Sequence, residues 1–206
     1  MRWEMSAATV NAYYHPFKNI IVFPAAILQA PFYSLKQSSS QNYGGIGAVI
    51  AHEISHAFDN NGSLFDEFGN LNNWWTDEDS AHFKQLAQKM IEEFDGIPFA
   101  GQKVNGKLTV SENIADAGGL SCAKKKKKNE ADFNAQEFFI NYCFQLMFMH
   151  RKNYVLIFKQ KISMTSTEHL TLSLVMKCTG HQKIGFIFGN LIFTEGWKFL
   201  QPFCLL

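Results

Sequence analysis

Apolar positions in the middle of the chain repeat at intervals of three and four residues, which is the period of one buried helix face. The repeat consists of Phe83, Leu86, Ala87, Met90, Ile91 and Phe94, with polar residues between them. It predicts a helix over residues 78–94. Thr76, which precedes three acidic residues, is typical of the residue that caps the start of such a helix.

Two other stretches predict helices. Residues 47–58 are largely apolar, and the helix that they predict ends at the polar sequence beginning with Asp59. Before this helix, Gly44 and Gly45 predict a close approach to a neighbouring segment. A later helix includes residues 112–120, and we interpret Ser111 as its N-cap.

The N-terminal part has β-rich runs at residues 10–14 and 20–24, separated by a turn that contains Pro16. They predict a hairpin, followed by a short helical turn at residues 25–28. The expected fold class is therefore mainly α with a small β-sheet, an α+β arrangement. An exposed strand edge could bind a peptide by backbone pairing, although an ordinary sheet edge has the same pattern.

Composition narrows the class of protein. Of the 206 residues, 47% are hydrophobic and 18% are charged, which is typical of a globular domain with a core. The net charge of +1 gives no reason to expect a nucleic-acid partner. No secretory signal and no long apolar segment is present, so we expect no membrane segment and a cytoplasmic location. Four cysteines without metal-binding spacing favour a reducing compartment.

The candidate chemistry begins with His52-Glu53-Ile54-Ser55-His56. On a helix, His52 and His56 lie on one face, one turn apart. Two imidazoles in this arrangement can bind one tetrahedral zinc ion, with Glu53 beside a metal-bound water. Because the motif is short, two polar surface histidines are the alternative interpretation.

A second pair of candidates lies on the helix after Ser111. Glu112 and Asp116 are four residues apart, so a helix places both on one face. A zinc site of this type needs a third ligand from another helix and an acceptor for an imidazole N–H. Glu112 could be the ligand and Asp116 the acceptor, or both could be surface acids at the start of a helix.

Several motifs occur in one order along the chain. They are Asn11-Ala12-Tyr13-Tyr14, Val22-Phe23-Pro24-Ala25, Asn42-Tyr43-Gly44-Gly45-Ile46-Gly47, His52-Glu53-x-x-His56 and Glu112-Asn113-Ile114-Ala115-Asp116. This set closely resembles the neprilysin-like family of zinc endopeptidases, in its bacterial oligoendopeptidase O branch, over about residues 2–142. The resemblance implies a fragment of a catalytic core that is thermolysin-like around the zinc helix.

The resemblance also implies roles for individual residues. The ligands of one Zn²⁺ ion would be His52, His56 and Glu112. Glu53 would be the general base that takes a proton from the zinc-bound water, and Asp116 would orient a ligand imidazole.

Three further residues have weaker or different assignments. Asp59 is a weaker candidate for orienting an imidazole. Asn11 and Ala12 match the strand that holds the substrate backbone in the family. The expected partners are therefore peptide substrates, and the sequence carries no signal for an oligomeric state.

The chain also departs from the family. A large helical region that precedes the catalytic part in the family is not present, so we expect a truncated N-terminus. A later family segment, Val-His-Ala-Pro followed by Leu-Arg-x-Asn, carries a histidine and an arginine that stabilise the tetrahedral intermediate. Neither string occurs in this chain.

The composition changes where that segment is expected. Residues 1–123 contain seven Lys+Arg and 13 Asp+Glu, a net charge of −6, whereas residues 124–206 contain twelve and five, a net charge of +7. No alanine follows Ala135 and no aspartate follows Asp132, and Lys124–Lys128 is a homopolymer.

Back-translation of residues 144–158, read one nucleotide upstream, permits Ser-Val-Asp-Val-His-Ala-Pro-Lys-Glu-Leu-Arg-Ala-Asn. Residues 161–166 and 174–183 permit further family-like strings in the same frame. We therefore predict a truncated catalytic domain over residues 1–143 and an out-of-frame tail with no independent domain over 144–206. In this interpretation, His150 and Arg151 are products of the shifted frame.

Three functions stay open. The first is a zinc-dependent metalloendopeptidase that hydrolyses peptides, which the resemblance favours. The second is a catalytically impaired or inactive remnant that still binds zinc, which the missing segment favours for this chain. The third is a non-enzymatic module that binds peptides through residues 10–14.

Overall fold

The computed structural model describes residues 4–99, 102–128 and 130–149, together with two short strands further along the chain. Five α-helices, together with shorter 3₁₀ and π-helical turns, make up more than half of this part, and every sheet in it has two strands. The prediction of a mainly α fold with a small β-sheet is therefore confirmed.

The helices follow one another along the chain. They are α1 (Ser39–Asn42), α2 (Ala48–Ser55), α3 (Asp77–Phe94), α4 (Gly106–Lys128) and α5 (Ala135–Met149). The longest connection, from α2 to α3, contains two 3₁₀ turns. A π-helical turn at Tyr43–Gly47 joins α1 to α2, and a 3₁₀ turn at His56–Phe58 extends α2 as far as Asp59. The helix predicted over residues 47–58 is thus confirmed, with a tighter last turn.

The N-terminal hairpin is also confirmed. Strand β1 (Tyr13–His15) pairs antiparallel with β2 (Ile20–Val22), and Tyr13 lies opposite Val22. A 3₁₀ turn at Pro16–Lys18 connects the two strands, and Asn19 closes it in the left-handed conformation. The other strand pairs are β3 (Pro98–Phe99) with β4 (Gln102–Lys103), and β5 (Leu172–Ser173) with β6 (Gly189–Asn190).

The amphipathic stripe of α3 packs as its period predicts. Thr76 caps the helix, because its side-chain oxygen accepts a hydrogen bond from the Asp79 N–H at 3.1 Å. Ala87 is buried against Val110 and Ile114 of α4. Helix α3 thereby supports the side of α4 that faces away from the candidate site.

The prediction that Ser111 is an N-cap is wrong. Helix α4 begins at Gly106, because the Asn105 side chain accepts hydrogen bonds from the N–H groups of Lys107 and Leu108 and so caps this start. Ser111 therefore lies inside the helix, where its hydroxyl is not needed for capping.

Glycines allow the helix that carries the histidines to pack closely on its neighbours. A Cβ at Gly44 would collide with the Phe138 carbonyl of α5, and one at Gly119 would lie 2.8 Å from the backbone N of His52. Between these contacts lies a core cluster that includes Ala48, Leu120, Phe138 and Phe139. The predicted close approach at Gly44 is therefore confirmed, and α4 makes a second one.

Helix α5 continues through the boundary that we predict at residues 143 and 144, and it ends at Met149. His150, Arg151 and the later tail lie outside the described residues, apart from β5 and β6. The division into a catalytic domain and an out-of-frame tail stays a prediction. Within the part of the chain that the structure describes, no helix is both long and apolar enough to cross a membrane.

Candidate metal centre

The two histidines of the motif point at each other from the end of α2. His52 lies in the last turn of the helix, and His56 starts the 3₁₀ turn that follows. Their Nε2 atoms are 3.0 Å apart, and their rings are nearly perpendicular at 88°. The helical spacing of four residues therefore brings both nitrogens to one point, as expected.

Each imidazole is held on its other side by a buried carboxylate. His52 Nδ1 lies 2.8 Å from Asp116 Oδ1, and His56 Nδ1 lies 2.7 Å from Asp59 Oδ2. A carboxylate at Nδ1 favours the tautomer with its proton on Nδ1 and leaves the Nε2 lone pair free for a metal. Both rings are thus oriented as metal ligands.

The third carboxylate approaches from α4. Glu112 Oε2 lies 3.5 Å from His52 Nε2 and 3.8 Å from His56 Nε2. Two ligand atoms about 2.1 Å from one tetrahedral ion are separated by about 3.4 Å, and the three observed separations bracket this value. The two nitrogens and the carboxylate oxygen therefore fit a single zinc ion.

Glu53 belongs to the same cluster, and it is buried, whereas the Glu112 side chain is about half exposed. Its carboxylate and the two imidazoles offer ligand-type atoms that all lie within 4.8 Å of one another. Burial raises the pKa of Glu53, and the nearby Glu112 raises it further, while the two histidines and a hydrogen bond from the Tyr14 N–H oppose this shift. A carboxylate with a raised pKa in this position is suited to accept and return a proton.

The carboxylates dominate the electrostatics of the histidines. Burial alone would lower the pKa of His52, but Asp116, Glu112 and Glu53 raise it to about 10. Burial raises the pKa of Asp59 less than its hydrogen bonds lower it, and His56 is the leading donor. Without a bound cation, the carboxylates around His52 therefore favour the protonated form of its ring.

The two histidines, together with Glu53, Asp59 and Glu112, line one cavity of about 460 Å³. Its lining residues come from the hairpin, from α2 with its 3₁₀ turn, and from α4: Asn11, Ala12, Tyr13, Tyr14, Pro16, His52, Glu53, His56, Asp59, Asn61, Gly62, Ser111 and Glu112. Asn11 and Ala12 immediately precede β1, so the hairpin and the residues just before it form one part of the lining. Asp116 lies behind His52 and outside this lining.

The structure thus brings together the residues that the sequence singled out. His52, His56, Glu53 and Glu112 meet at one point, Asp116 supports one ring, and Asn11 and Ala12 line the cavity. Sequence reasoning missed two contributions. Tyr14 donates its backbone N–H to Glu53, and Ser111 donates its hydroxyl to Asp59. No local sequence pattern predicts either contact, because both join segments that are distant in sequence.

Comparison with known proteins decides the family. The sequence profile of Peptidase family M13 matches residues 11–187, which is most of the chain. The chain belongs to this family. The match extends beyond residue 143, where we predict the end of the catalytic domain, and it includes every candidate site residue.

Members of the M13 family from bacteria and mammals are close in sequence. The neutral endopeptidase of Lactococcus lactis subsp. cremoris is 63% identical over 137 residues, which are 66% of this chain and 22% of that protein. Endothelin-converting enzyme 1 of Rattus norvegicus is 46% identical over 136 residues, which are 66% of this chain and 18% of that protein. The resemblance to neprilysin-like zinc endopeptidases is thereby confirmed.

A solved structure has the same fold in this region. The crystal structure of PEPO from Lactobacillus rhamnosis HN001 is 52% identical, with a TM-score of 0.67, over 70% of this chain and 23% of that one. The chain therefore spans about a fifth to a quarter of the length of these M13 relatives. The fold around the candidate site is that of an M13 catalytic core fragment.

Proposed function

We propose that this chain carries the zinc site of a metalloendopeptidase that hydrolyses peptide bonds in peptides. The observation that supports this most is the convergence of His52 Nε2, His56 Nε2 and Glu112 Oε2 within 3.8 Å of one another. Membership of Peptidase family M13 and the relatives named as endopeptidases support the same reaction class.

One Zn²⁺ ion is held by His52, His56 and Glu112 in this proposal. When bound, zinc polarises the scissile carbonyl and lowers the pKa of a water molecule to about 7. The residues of the chain do the remaining work. Asp116 and Asp59 hold the two imidazoles through Nδ1, and both carboxylates are almost completely buried, so the rings are fixed before a metal arrives.

Glu53 acts as the general base in the proposed reaction. It accepts a proton from the attacking water and passes it to the nitrogen of the leaving amine. Burial raises its pKa, which favours uptake of the proton from water, and the Tyr14 N–H donates a hydrogen bond to the carboxylate. This step would fail in a glutamine variant, because an amide cannot take up the proton.

The peptide substrate lies in the cavity between the hairpin and α2. In this proposal Asn11 and Ala12 hold its backbone, which is supported by their position in the lining of the same cavity as His52 and Glu53. The cavity volume of about 460 Å³ accommodates a few residues of an extended peptide. A short peptide is therefore the appropriate substrate for a test.

The test uses the full chain with one equivalent of zinc and an internally quenched peptide. We expect turnover that requires zinc and falls by about 10²–10⁴-fold in Glu53→Gln. Zinc titration of the same variant should give nearly unchanged binding, because Glu53 is not among the proposed ligands. Turnover that is equal in the variant, or independent of zinc, would refute the proposed mechanism.

A catalytically impaired remnant that still binds zinc is the second candidate. Among the described residues that line the cavity, none is an arginine or a lysine, and the only histidines are the two proposed ligands. Loss of one donor that stabilises developing negative charge typically lowers kcat by about 10²–10³-fold. Stoichiometric zinc binding without measurable turnover would favour this candidate over an active peptidase.

A further inference from the structure

Ser111 has a contact that its position in the helix does not require. It lies five residues after the start of α4, and its hydroxyl donates a hydrogen bond to Asp59 Oδ2. A serine inside a helix often donates to the carbonyl four residues earlier. Ser55 of α2 does this, with its hydroxyl 2.7 Å from the Ala51 carbonyl oxygen. Ser111 instead forms a bond between two segments.

The carboxylate that Ser111 meets is fully engaged. Asp59 Oδ2 also accepts a hydrogen bond from His56 Nδ1 at 2.7 Å. Asp59 Oδ1 accepts bonds from the N–H groups of Asn61 and Gly62, both at 2.7 Å. Because Asp59 is only 1% exposed, water cannot replace a lost donor easily. Removal of the Ser111 hydroxyl would therefore leave a buried carboxylate with one bond fewer.

Ser111 is also the residue next to Glu112. The bond to Asp59 consequently joins α4, which supplies the proposed carboxylate ligand, to the turn that holds His56. At the other histidine, α4 is connected to the ring by the direct contact of Asp116 with His52. Asp116 reaches Nδ1 of His52 directly from α4, whereas Nδ1 of His56 is connected to α4 through Asp59 and Ser111.

We propose that Ser111 is a positioning residue of the metal centre, which fixes the Asp59–His56 pair relative to Glu112 and thereby raises zinc affinity. The residue itself does not touch the metal or the substrate in this assignment. Its effect passes through the Asp59 carboxylate, which keeps the His56 ring oriented. Because Ser111 and Glu112 are adjacent on α4, the same bond fixes the position of Glu112 relative to His56. The proposal rests on the proposed zinc site.

The test measures zinc affinity in the full chain by competition with a chromophoric chelator, so it does not depend on turnover. Removal of an outer partner of a metal ligand typically lowers affinity by about 10–100-fold, and we expect about 10-fold for Ser111→Ala. Ser111→Thr keeps the hydroxyl and should bind zinc within about threefold of the unmodified chain. Circular dichroism of the metal-free variants shows whether they fold.

Ser39→Ala is the matched control. The Ser39 hydroxyl also donates to an aspartate, Asp132, at 2.7 Å, but on α1 and away from the cavity. Its loss should leave zinc affinity unchanged. In an Asp59→Asn background, Ser111→Ala should cause little additional loss, because the two residues act as one unit.

Three results would overturn the proposal. They are an unchanged affinity in folded Ser111→Ala, an equal loss in Ser39→Ala, and a full additional loss in the Asp59→Asn background. If the unmodified chain itself binds no zinc, the proposed zinc site is refuted and the role of Ser111 is refuted with it. If the unmodified chain binds zinc and Ser111→Ala binds equally well, only the role of Ser111 is refuted.

Discussion

Asp116 Oδ1 lies 2.8 Å from His52 Nδ1, although the two residues are 64 positions apart in the sequence. The Asp116 side chain is 7% exposed, and its second oxygen has no hydrogen-bond partner among the described residues. Its negative charge is therefore directed mainly at the imidazole of His52. Such a carboxylate holds the ring in place and increases the basicity of the opposite nitrogen.

Replacement of Asp116 by asparagine should weaken zinc binding by about 10–100-fold, because the shape is kept but the charge beside His52 is lost. Chelator competition with the full chain measures this directly. Asp77→Asn is the control, since Asp77 is an exposed residue of the first turn of α3. Equal affinity in both variants would show that the charge of Asp116 does not tune the metal centre.

Zinc affinity should rise with pH through the neutral range. The carboxylates around His52 raise its pKa to about 10, so this ring is protonated in the metal-free protein at neutral pH. A histidine must lose its proton to bind a metal, and one displaced proton makes affinity rise about tenfold per pH unit below that pKa.

The measurement is a zinc titration at several values between about pH 6 and pH 9, corrected for proton binding by the chelator and buffer. In Asp116→Asn, the pKa of His52 should fall, so the rise in affinity should level off at a lower pH. An affinity that is already constant above about pH 7 would contradict the strongly raised pKa.

Gly119→Ala should destabilise the fold by about 1–3 kcal/mol, because an added methyl group would press on a packed backbone. Its Cβ would lie 2.8 Å from both the Ala48 carbonyl oxygen and the His52 N. Urea unfolding of the metal-free protein measures the loss. Zinc affinity should fall too, since α4 carries Glu112 and Asp116.

Gly47→Ala is the matched control for this substitution. The nearest atom to a Cβ at Gly47 is 3.4 Å away on the Tyr43 ring, and its backbone is helical. Alanine at a helical position is favoured over glycine by about 0.5–1 kcal/mol, so this variant should be neutral or slightly more stable. A large loss in Gly47→Ala, or none in Gly119→Ala, would contradict the proposed close packing of α2 on α4.

The frame hypothesis makes a prediction about the gene. Bases that encode residues 144–183, read one position upstream, should spell Val-His-Ala-Pro and then Leu-Arg-Ala-Asn. DNA sequencing of this region is decisive, because codon degeneracy permits the string but does not require it. Any other reading in that frame refutes the hypothesis.

Restoring that frame should also increase peptidase activity. The recovered histidine and arginine would each stabilise developing negative charge, an effect of about 10²–10³-fold in kcat for one donor. A chain with the frame corrected from about residue 144 should therefore turn over a quenched peptide faster at the same zinc occupancy. Equal rates in the two chains would show that the segment does not supply these donors.

Sequence patterns predicted the helices and the histidine pair because both depend on residues that are close together in the chain. The apolar stripe from Phe83 to Phe94 gave α3 within one residue, since one buried face is enough to specify a helix. The spacing of His52 and His56 gave a shared point for both rings, since a helix repeats every 3.6 residues.

The errors and omissions concern contacts between distant segments. Ser111 has the residue type of an N-cap, yet Asn105 occupies that role because the loop before α4 ends earlier than the motif suggests. The bond from Ser111 to Asp59 spans 52 residues, and no local periodicity encodes it. The hydrogen bond from the Tyr14 N–H to Glu53 could not be predicted either, because nearly every residue has a backbone N–H and the residue type does not indicate its partner.

Both helices that carry the proposed ligands, together with the turn at Asp59, lie between residues 48 and 128. The resemblance to the family implies that peptide hydrolysis also depends on a later segment. Mutation can therefore separate proposed zinc binding from hydrolysis. A chain that loses the later segment would still contain every proposed zinc ligand. In such a chain, the proposed metal binding would be separate from peptide hydrolysis.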